Sequence, residues 1–216
     1  MKLEEFFPSP ITGAIFDCDG TLLDSIGAWL ALEDELASLV GCSFSDEEST
    51  YVGTLTIPET AEYFHGRFGL GDSAEEVLAL YNEKIEAIYR DSVFARPGAL
   101  EFVRALHEQG IKTSIASSTP QKHLRIALGK NGFLPYLDAI VSVDDVGHSK
   151  RDPAAFDLAR TLMGTPKEST WVFEDSVYAL KTAINAGYRS VGVYDRDISG
   201  SLEELSIADV LITSFL

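Results

Sequence analysis

Ile11-Thr12-Gly13-Ala14-Ile15-Phe16-Asp17-Cys18-Asp19-Gly20-Thr21-Leu22-Leu23-Asp24-Ser25 runs from an apolar, β-favourable segment straight into a turn that carries two carboxylates. Its first six residues predict a short buried strand with Asp17 at the C-terminal end. Gly20 suits a turn that needs an unusual backbone angle or a close ligand approach. Beyond Gly20 the apolar spacing becomes helical. Ile26, Trp29, Leu30, Leu36 and Val40 fall on one helical face, and Val77, Tyr81, Ile85 and Ile88 do so within residues 73–90. Ser73 with Glu76 predicts a capping box at the start of that second helix, after the turn Gly69-Leu70-Gly71-Asp72.

From Arg96-Pro97-Gly98 onward, strand and helix signals alternate. Strands are predicted at residues 112–117, 139–143, 170–173, 190–194 and 210–212. Helices are predicted around Leu100, Val103 and Leu106, ended by Gly110, and at 121–130, 153–163 and 177–185, the last closed by Gly187. Such alternation implies an α/β fold with right-handed crossovers and a parallel sheet covered on both faces. About 70 residues of helical periodicity separate the first strand from the next α/β element, too many for a loop inside one compact domain. The expected division is a catalytic core of residues 1–24 and 97–216, with residues 25–96 inserted as a helical domain. Open α/β sheets bind ligands at the C-terminal edge of their strands, so the insert is expected to act as a lid there.

Composition narrows the function classes. In 216 residues there are 17 Lys and Arg against 34 Asp and Glu, a formal net charge of −17. A surface that acidic repels phosphate backbones and anionic headgroups, which argues against nucleic-acid and membrane partners. The start MKLEEFFPSP lacks the basic, then apolar, pattern of a signal peptide, and no run is long enough to span a bilayer. Two cysteines, Cys18 and Cys42, make no disulfide framework and have no metal-ligand spacing. The expectation is a cytoplasmic protein. Nothing in the sequence demands an oligomer, and a monomer is expected.

Four segments place polar groups at or near strand ends: the Asp17 turn, Ile115-Ala116-Ser117-Ser118-Thr119-Pro120, Ser149-Lys150, and Val172-Phe173-Glu174-Asp175-Ser176. In a parallel sheet these ends emerge on one edge, which gathers Asp17, Asp19, Ser117, Lys150, Glu174 and Asp175. Four carboxylates crowded together raise one another's pKa unless a cation compensates them. An oxygen-only set favours a hard ion, Mg²⁺. A metal, an ammonium and a hydroxyl suit a phosphoryl group, and a carboxylate beside them can attack phosphorus while a second handles the proton.

The segment Asp17-Cys18-Asp19-Gly20-Thr21-Leu22-Leu23-Asp24-Ser25 resembles the first signature of the haloacid dehalogenase superfamily. Ser117 resembles the second, Lys150 the third, and Val172-Phe173-Glu174-Asp175-Ser176 the fourth, in order across the whole chain. The helical insert is similar to the small α-helical cap of the β-phosphoglucomutase-like and phosphoglycolate-phosphatase-like branch. The resemblance implies a doubly wound, Rossmann-like core and Mg²⁺-dependent phosphoryl chemistry. It implies that Asp17 is the nucleophile and a metal ligand, and that Asp19 is the general acid/base and lends the metal its backbone carbonyl. Ser117 and Lys150 would hold the phosphate; Asp175 would ligate the metal, and Glu174 would do so directly or through water. Ser118 stands beside Ser117, and a one-residue strand shift would exchange them.

Several positions depart from the family pattern. Arg151 and Ala154 replace a Pro and an Asp in the third motif, and Ala179 replaces a Gly after the fourth. The cap His and Arg of β-phosphoglucomutase correspond to Trp29 and Thr56, which disfavours the mutase, while Asp19 disfavours dehalogenation. Trp29 and His65 are the cap residues expected to contribute to substrate specificity. The expected activity is a phosphoric monoester hydrolase that acts on a small phosphorylated metabolite through an aspartyl-phosphate. The alternatives are a sugar phosphomutase and a catalytically idle phosphate-ligand-binding or regulatory protein.

Overall fold

The computed structural model describes residues 6–194 and 202–216; residues 1–5, part of the acidic start, and 195–201 lie outside the described residues. Strand β1 is Gly13–Phe16, and β2, Leu23–Asp24, follows the Asp17 turn. Next come α1 (Ile26–Leu39), α2 (Asp46–Val52), α3 (Ile57–Phe68) and α4 (Ala74–Asp91). The chain continues through β3 (Phe94–Ala95), α5 (Ala99–Glu108), β4 (Lys112–Ser117), α6 (Gln121–Lys130) and β5 (Ala139–Ser142). It ends with α7 (Ala154–Met163), β6 (Thr170–Glu174), α8 (Val177–Asn185), β7 (Arg189–Val193), α9 (Leu202–Leu205) and β8 (Val210–Ile212). Among the described residues no helix is long and apolar enough to cross a membrane.

Two compact units result, one formed by the described residues up to Asp24 and from Phe94 on, the other by Ser25–Val93. The first holds a parallel six-stranded sheet in the order β5-β4-β1-β6-β7-β8. It is the parallel α/β sheet that the alternation predicts, in the Rossmann-like form that the resemblance implies. Strand β1 lies inside it, with Phe16 opposite both Ile115 of β4 and Phe173 of β6. The connections leave β1's two neighbours in opposite directions, so the crevice of the topological switch opens at its C-terminal end, where Asp17 follows.

Alternate residues of β1 and β6 serve the two layers. Ile15 and Val172 join Phe156, Ala159, Ala179 and Ala183 in one buried cluster. Phe16 and Phe173 stack at 4.4 Å between centroids, with Phe102 of α5 edge-on to Phe173 at 5.6 Å. Each such ring contributes roughly 2–3 kcal/mol of transfer free energy to the base under the Asp17 turn.

The second unit is helical, built on α1 to α4. Its α4 buries Val77, Tyr81, Ile85 and Tyr89; Ile88, expected on that face, is only partly buried. The stripe of α1 differs more from the sequence reading. Leu32, Glu33, Leu36 and Ala37 are buried, whereas Ile26, Trp29, Leu30 and Val40 are partly exposed. The capping box at Ser73 is half formed: its hydroxyl accepts from the Glu76 N–H at 3.2 Å, but Glu76 Oε2 accepts from Asp72 N–H at 2.7 Å. The carboxylate reaches one residue further back because the Gly71-Asp72 turn brings that donor within range.

Candidate active site

The β1–β6 ladder runs on past β1, with the Asp17 N–H donating to Phe173 O at 2.9 Å, so Asp17 is fixed at the sheet edge by backbone alone. The turn then closes on itself. Cys18 O accepts from Leu22 N–H at 3.0 Å and Leu23 N–H at 2.9 Å, and Gly20 N–H donates to Leu23 O at 2.9 Å. Gly20 has φ 79°, a left-handed conformation that any side chain would strain.

Asp17, Glu174 and Asp175 are all buried and each offers an oxygen within 4.8 Å of the others. Glu174 ends β6 and Asp175 follows it, so the strand pairing that places Asp17 places them too. Lys150, in the loop before α7 and itself 2% exposed, donates to Asp17 Oδ1 and, at 2.8 Å, to Glu174 Oε2. The other Glu174 oxygen accepts from Ser176 N–H at 3.2 Å, and Asp175 Oδ1 accepts from Thr21 Oγ1 at 3.1 Å. A buried, oxygen-only set of this spacing fits a hard divalent cation.

Burial raises the Asp17 carboxyl well above its usual range; Lys150 pulls it back, while Glu174, Asp175 and Asp19 push upward. Asp175 is pushed up to about 7, by burial first and Glu174 second, against Lys150 and the Thr21 hydrogen bond. Burial acts to lower Lys150, but Asp17 and Glu174 outweigh it and hold the ammonium charged. These acids repel one another more than one ammonium can balance, and a cation among them would relieve the excess. Cys18, fully buried, has its thiol raised well above the usual value by burial, then by Asp19 and Asp17. It is an inert core thiol rather than a nucleophile.

Asp19 is partly buried and its carboxylate is not one of the three convergent acids; Asp19 Oδ2 accepts from Thr119 Oγ1 at 2.9 Å. Ser117 closes β4 and is buried, with Oγ accepting from Thr119 N–H at 3.1 Å, which leaves its proton to donate elsewhere. The neighbouring Ser118 bonds through its side chain to Tyr178 of α8. Asp17, Asp19, Ser117, Lys150, Glu174 and Asp175 thus all belong to one strand-end region of the α/β unit.

Thr21, Thr119 and Tyr178 are the contributors that the sequence reading left without a role. A hydroxyl beside each strand-end motif was the available signal. Trp29 and His65 lie in the helical unit and have partners there. Trp29 Nε1 donates to Tyr89 Oη at 3.1 Å, and His65 Nδ1 lies 2.9 Å from Leu70 O at the end of α3. Thr56 is the N-cap of α3, its hydroxyl accepting from Glu59 N–H and its own N–H donating to Glu59 Oε2.

Known proteins resemble this chain in sequence and in fold. The phosphorylated carbohydrates phosphatase of Thermotoga maritima is 24% identical over 177 residues, 82% of each chain. Hexitol phosphatase B of Escherichia coli K12 is 29% identical over 189 residues, 86% of this chain and 85% of that one. Among solved structures, CbbY from Rhodobacter sphaeroides in complex with phosphate superposes with a TM-score of 0.80 at 24% identity, over 95% of both chains. The model of the haloacid dehalogenase-like hydrolases matches residues 11–187, from the strand beneath Asp17 to the glycine that ends α8. A match over that much of the chain shows that it belongs to the haloacid dehalogenase-like hydrolase family.

Proposed function

We propose that this hydrolase is a Mg²⁺-dependent phosphatase that cleaves a small phosphomonoester through an aspartyl-phosphate. The observation that carries the reading is the buried triad of Asp17, Glu174 and Asp175 around the Lys150 ammonium, with Asp19 two residues along the same turn. Asp17, Glu174 and Asp175, with the backbone carbonyl of Asp19, would hold Mg²⁺, which supplies positive charge to the phosphoryl oxygens. Lys150 opposes the burial that raises the Asp17 carboxyl and orients its oxygen for attack on phosphorus. Ser117 donates its remaining proton to a phosphoryl oxygen. As the bond from phosphorus to the leaving oxygen breaks, Asp19 gives that oxygen its proton. The Asp19 carboxylate then takes a proton from water attacking the aspartyl-phosphate, which releases phosphate and restores both acids.

Relatives named for carbohydrates and hexitols support a phosphorylated sugar or polyol as substrate. Its selection is assigned to the helical unit, with Trp29 and His65 the residues to vary. The two free cysteines fit the reducing cytoplasm.

The test is phosphate release from an aryl phosphate and a panel of sugar and polyol phosphates, with Mg²⁺ and with chelator. Release that needs Mg²⁺ and falls at least about 10³-fold in Asp17→Asn is the expected result. No release from any ester, with Mg²⁺ shown to bind, would overturn the phosphatase in favour of a mutase or a binding protein.

A further inference from the structure

A general acid must point at the leaving oxygen to within a fraction of an ångström, so whatever fixes its backbone has kinetic consequences. Asp19 sits in a turn whose Gly20 has a left-handed backbone and so gets no steric guidance from a side chain. Its N–H is tied within the turn, to Leu23 O, but its carbonyl is tied from outside. Arg96, directly after β3, donates from Nη1 to Gly20 O and from Nη2, at 3.0 Å, to Tyr194 O beyond the end of β7. Its backbone N–H donates to Leu22 O at 2.8 Å. One residue therefore grips the turn at two carbonyls and anchors it to a third segment of the sheet's edge. The planar guanidinium fork suits this task, since its donors lie in fixed directions that an ammonium cannot reproduce.

On the far side of the same peptide, Thr21 donates to Asp175, so the Gly20 carbonyl direction also decides where Thr21 starts. The Asp19 carboxylate has a side-chain anchor in Thr119, but its Cα position depends on the turn. We propose that Arg96 is a positioning residue for Asp19: by fixing the Gly20 carbonyl it aims the acid that protonates the leaving group. The inference rests on the phosphatase reading and on Asp19 as its acid.

The test exploits leaving-group chemistry. kcat/KM covers the steps up to departure of the alcohol. An alkyl phosphate needs its leaving oxygen protonated, whereas 4-nitrophenyl phosphate leaves as a stable phenolate and needs little help. Both esters are assayed with wild type, Arg96→Gln and Arg96→Lys, and the ratio of the two kcat/KM values is read. Because the ratio does not depend on how much enzyme is folded, partial misfolding does not obscure it. Arg96→Gln is expected to lower the alkyl-to-aryl ratio by about tenfold, part of the 10²–10⁴ that a placed acid supplies. Arg96→Lys keeps the charge without the fork and is expected to fall between, and it decides the matter should the glutamine variant not fold. Equal losses on both esters, or no loss on either, would overturn the positioning role and leave Arg96 a structural tie. Both esters are chosen from those that wild type hydrolyses; hydrolysis of no ester in the panel would instead overturn the phosphatase reading, and this inference with it.

Discussion

At the C-terminal ends of β1 and β6, Asp17, Glu174 and Asp175 are buried beside Lys150, and their oxygens take hydrogen bonds from Lys150, Ser176 and Thr21. In the helical unit Glu33 is buried as deeply, 6% exposed, yet its Oε2 finds no hydrogen-bond partner among the described residues. Both regions raise carboxyl pKa values through burial, but the consequences differ. Glu33, pushed up to about 7 by burial and then by Asp34, escapes its cost by holding a proton. The strand-end acids are raised by burial too, but Lys150 lies among them and directed donors surround them, an arrangement that opposes the shift where nothing does so at Glu33. Burial alone does not make an acidic site; compensated charge with fixed geometry does.

The largest stability effect should come from taking the compensation away. Lys150→Met leaves Asp17 and Glu174 facing each other without the ammonium, and loss of one partner from a buried ionic group costs roughly 3–5 kcal/mol. The sign with pH follows from the direction of the shifts. Asp17 and Asp175 already titrate above their unfolded values, and without Lys150 they rise further. The variant's deficit should therefore be small in acid and grow as pH rises through the wild type's folded-state values, about 7 for Asp175. Mg²⁺ should restore part of it. Thermal unfolding at pH 5 and pH 8, with Mg²⁺ and with chelator, reads all three points. A variant as stable as wild type at both pH values would mean that Lys150 does not balance these acids.

Much of this contrast was legible in the sequence, and the rest was not for definable reasons. Asp17, Glu174 and Asp175 could be placed because each ends or follows a short apolar run, and parallel strands bring such ends together. β2 and β3 were invisible: two-residue strands have no periodicity, and their pairing joins Leu23 to Ala95 across the whole helical unit. It is that pairing which returns the chain to the α/β unit at Phe94, ahead of Arg96-Pro97-Gly98. Glu33 was not legible as buried because an acid is counted with the solvent face, although it lies on the same helical face as Trp29, Leu36 and Val40. Thr119 and Thr21 act on residues 100 and 154 positions away, contacts that no local pattern encodes.

Glu33 supplies the next test from the other side of the comparison. Its folded-state pKa of about 7 lies above the usual 4.5, so between those values the native state binds more protons than the unfolded chain. Stability from this group is full below pH 4.5 and is lost as pH rises toward 7, by about 3 kcal/mol at the conversion of 1.36 kcal/mol per unit. Glu33→Gln cannot ionise. Its stability relative to wild type should improve by about that amount between pH 4.5 and pH 8, whatever the fixed cost of burying the amide. Denaturant unfolding of both proteins across that range measures the difference, and a flat difference would show that Glu33 ionises without penalty, erasing the contrast with the strand ends.

The smallest effect expected belongs to a single directed donor. Thr21→Val keeps the shape of the side chain and removes only the hydroxyl that donates to Asp175 Oδ1 at 3.1 Å. Thr21 is fully buried and lies on the turn rather than among the acids, so the variant should leave the fold and the position of Asp17 intact. If Asp175 is a ligand, the hydroxyl orients it, and partners of this kind typically change metal affinity 10- to 100-fold. Mg²⁺ activation should therefore weaken by about tenfold while kcat at saturating Mg²⁺ changes little. A calorimetric Mg²⁺ titration separates that outcome from a general loss of activity. Unchanged Mg²⁺ affinity would place the Thr21 hydrogen bond with the ordinary ties of the turn, and the distinction between the two acidic regions would then rest on Lys150 alone.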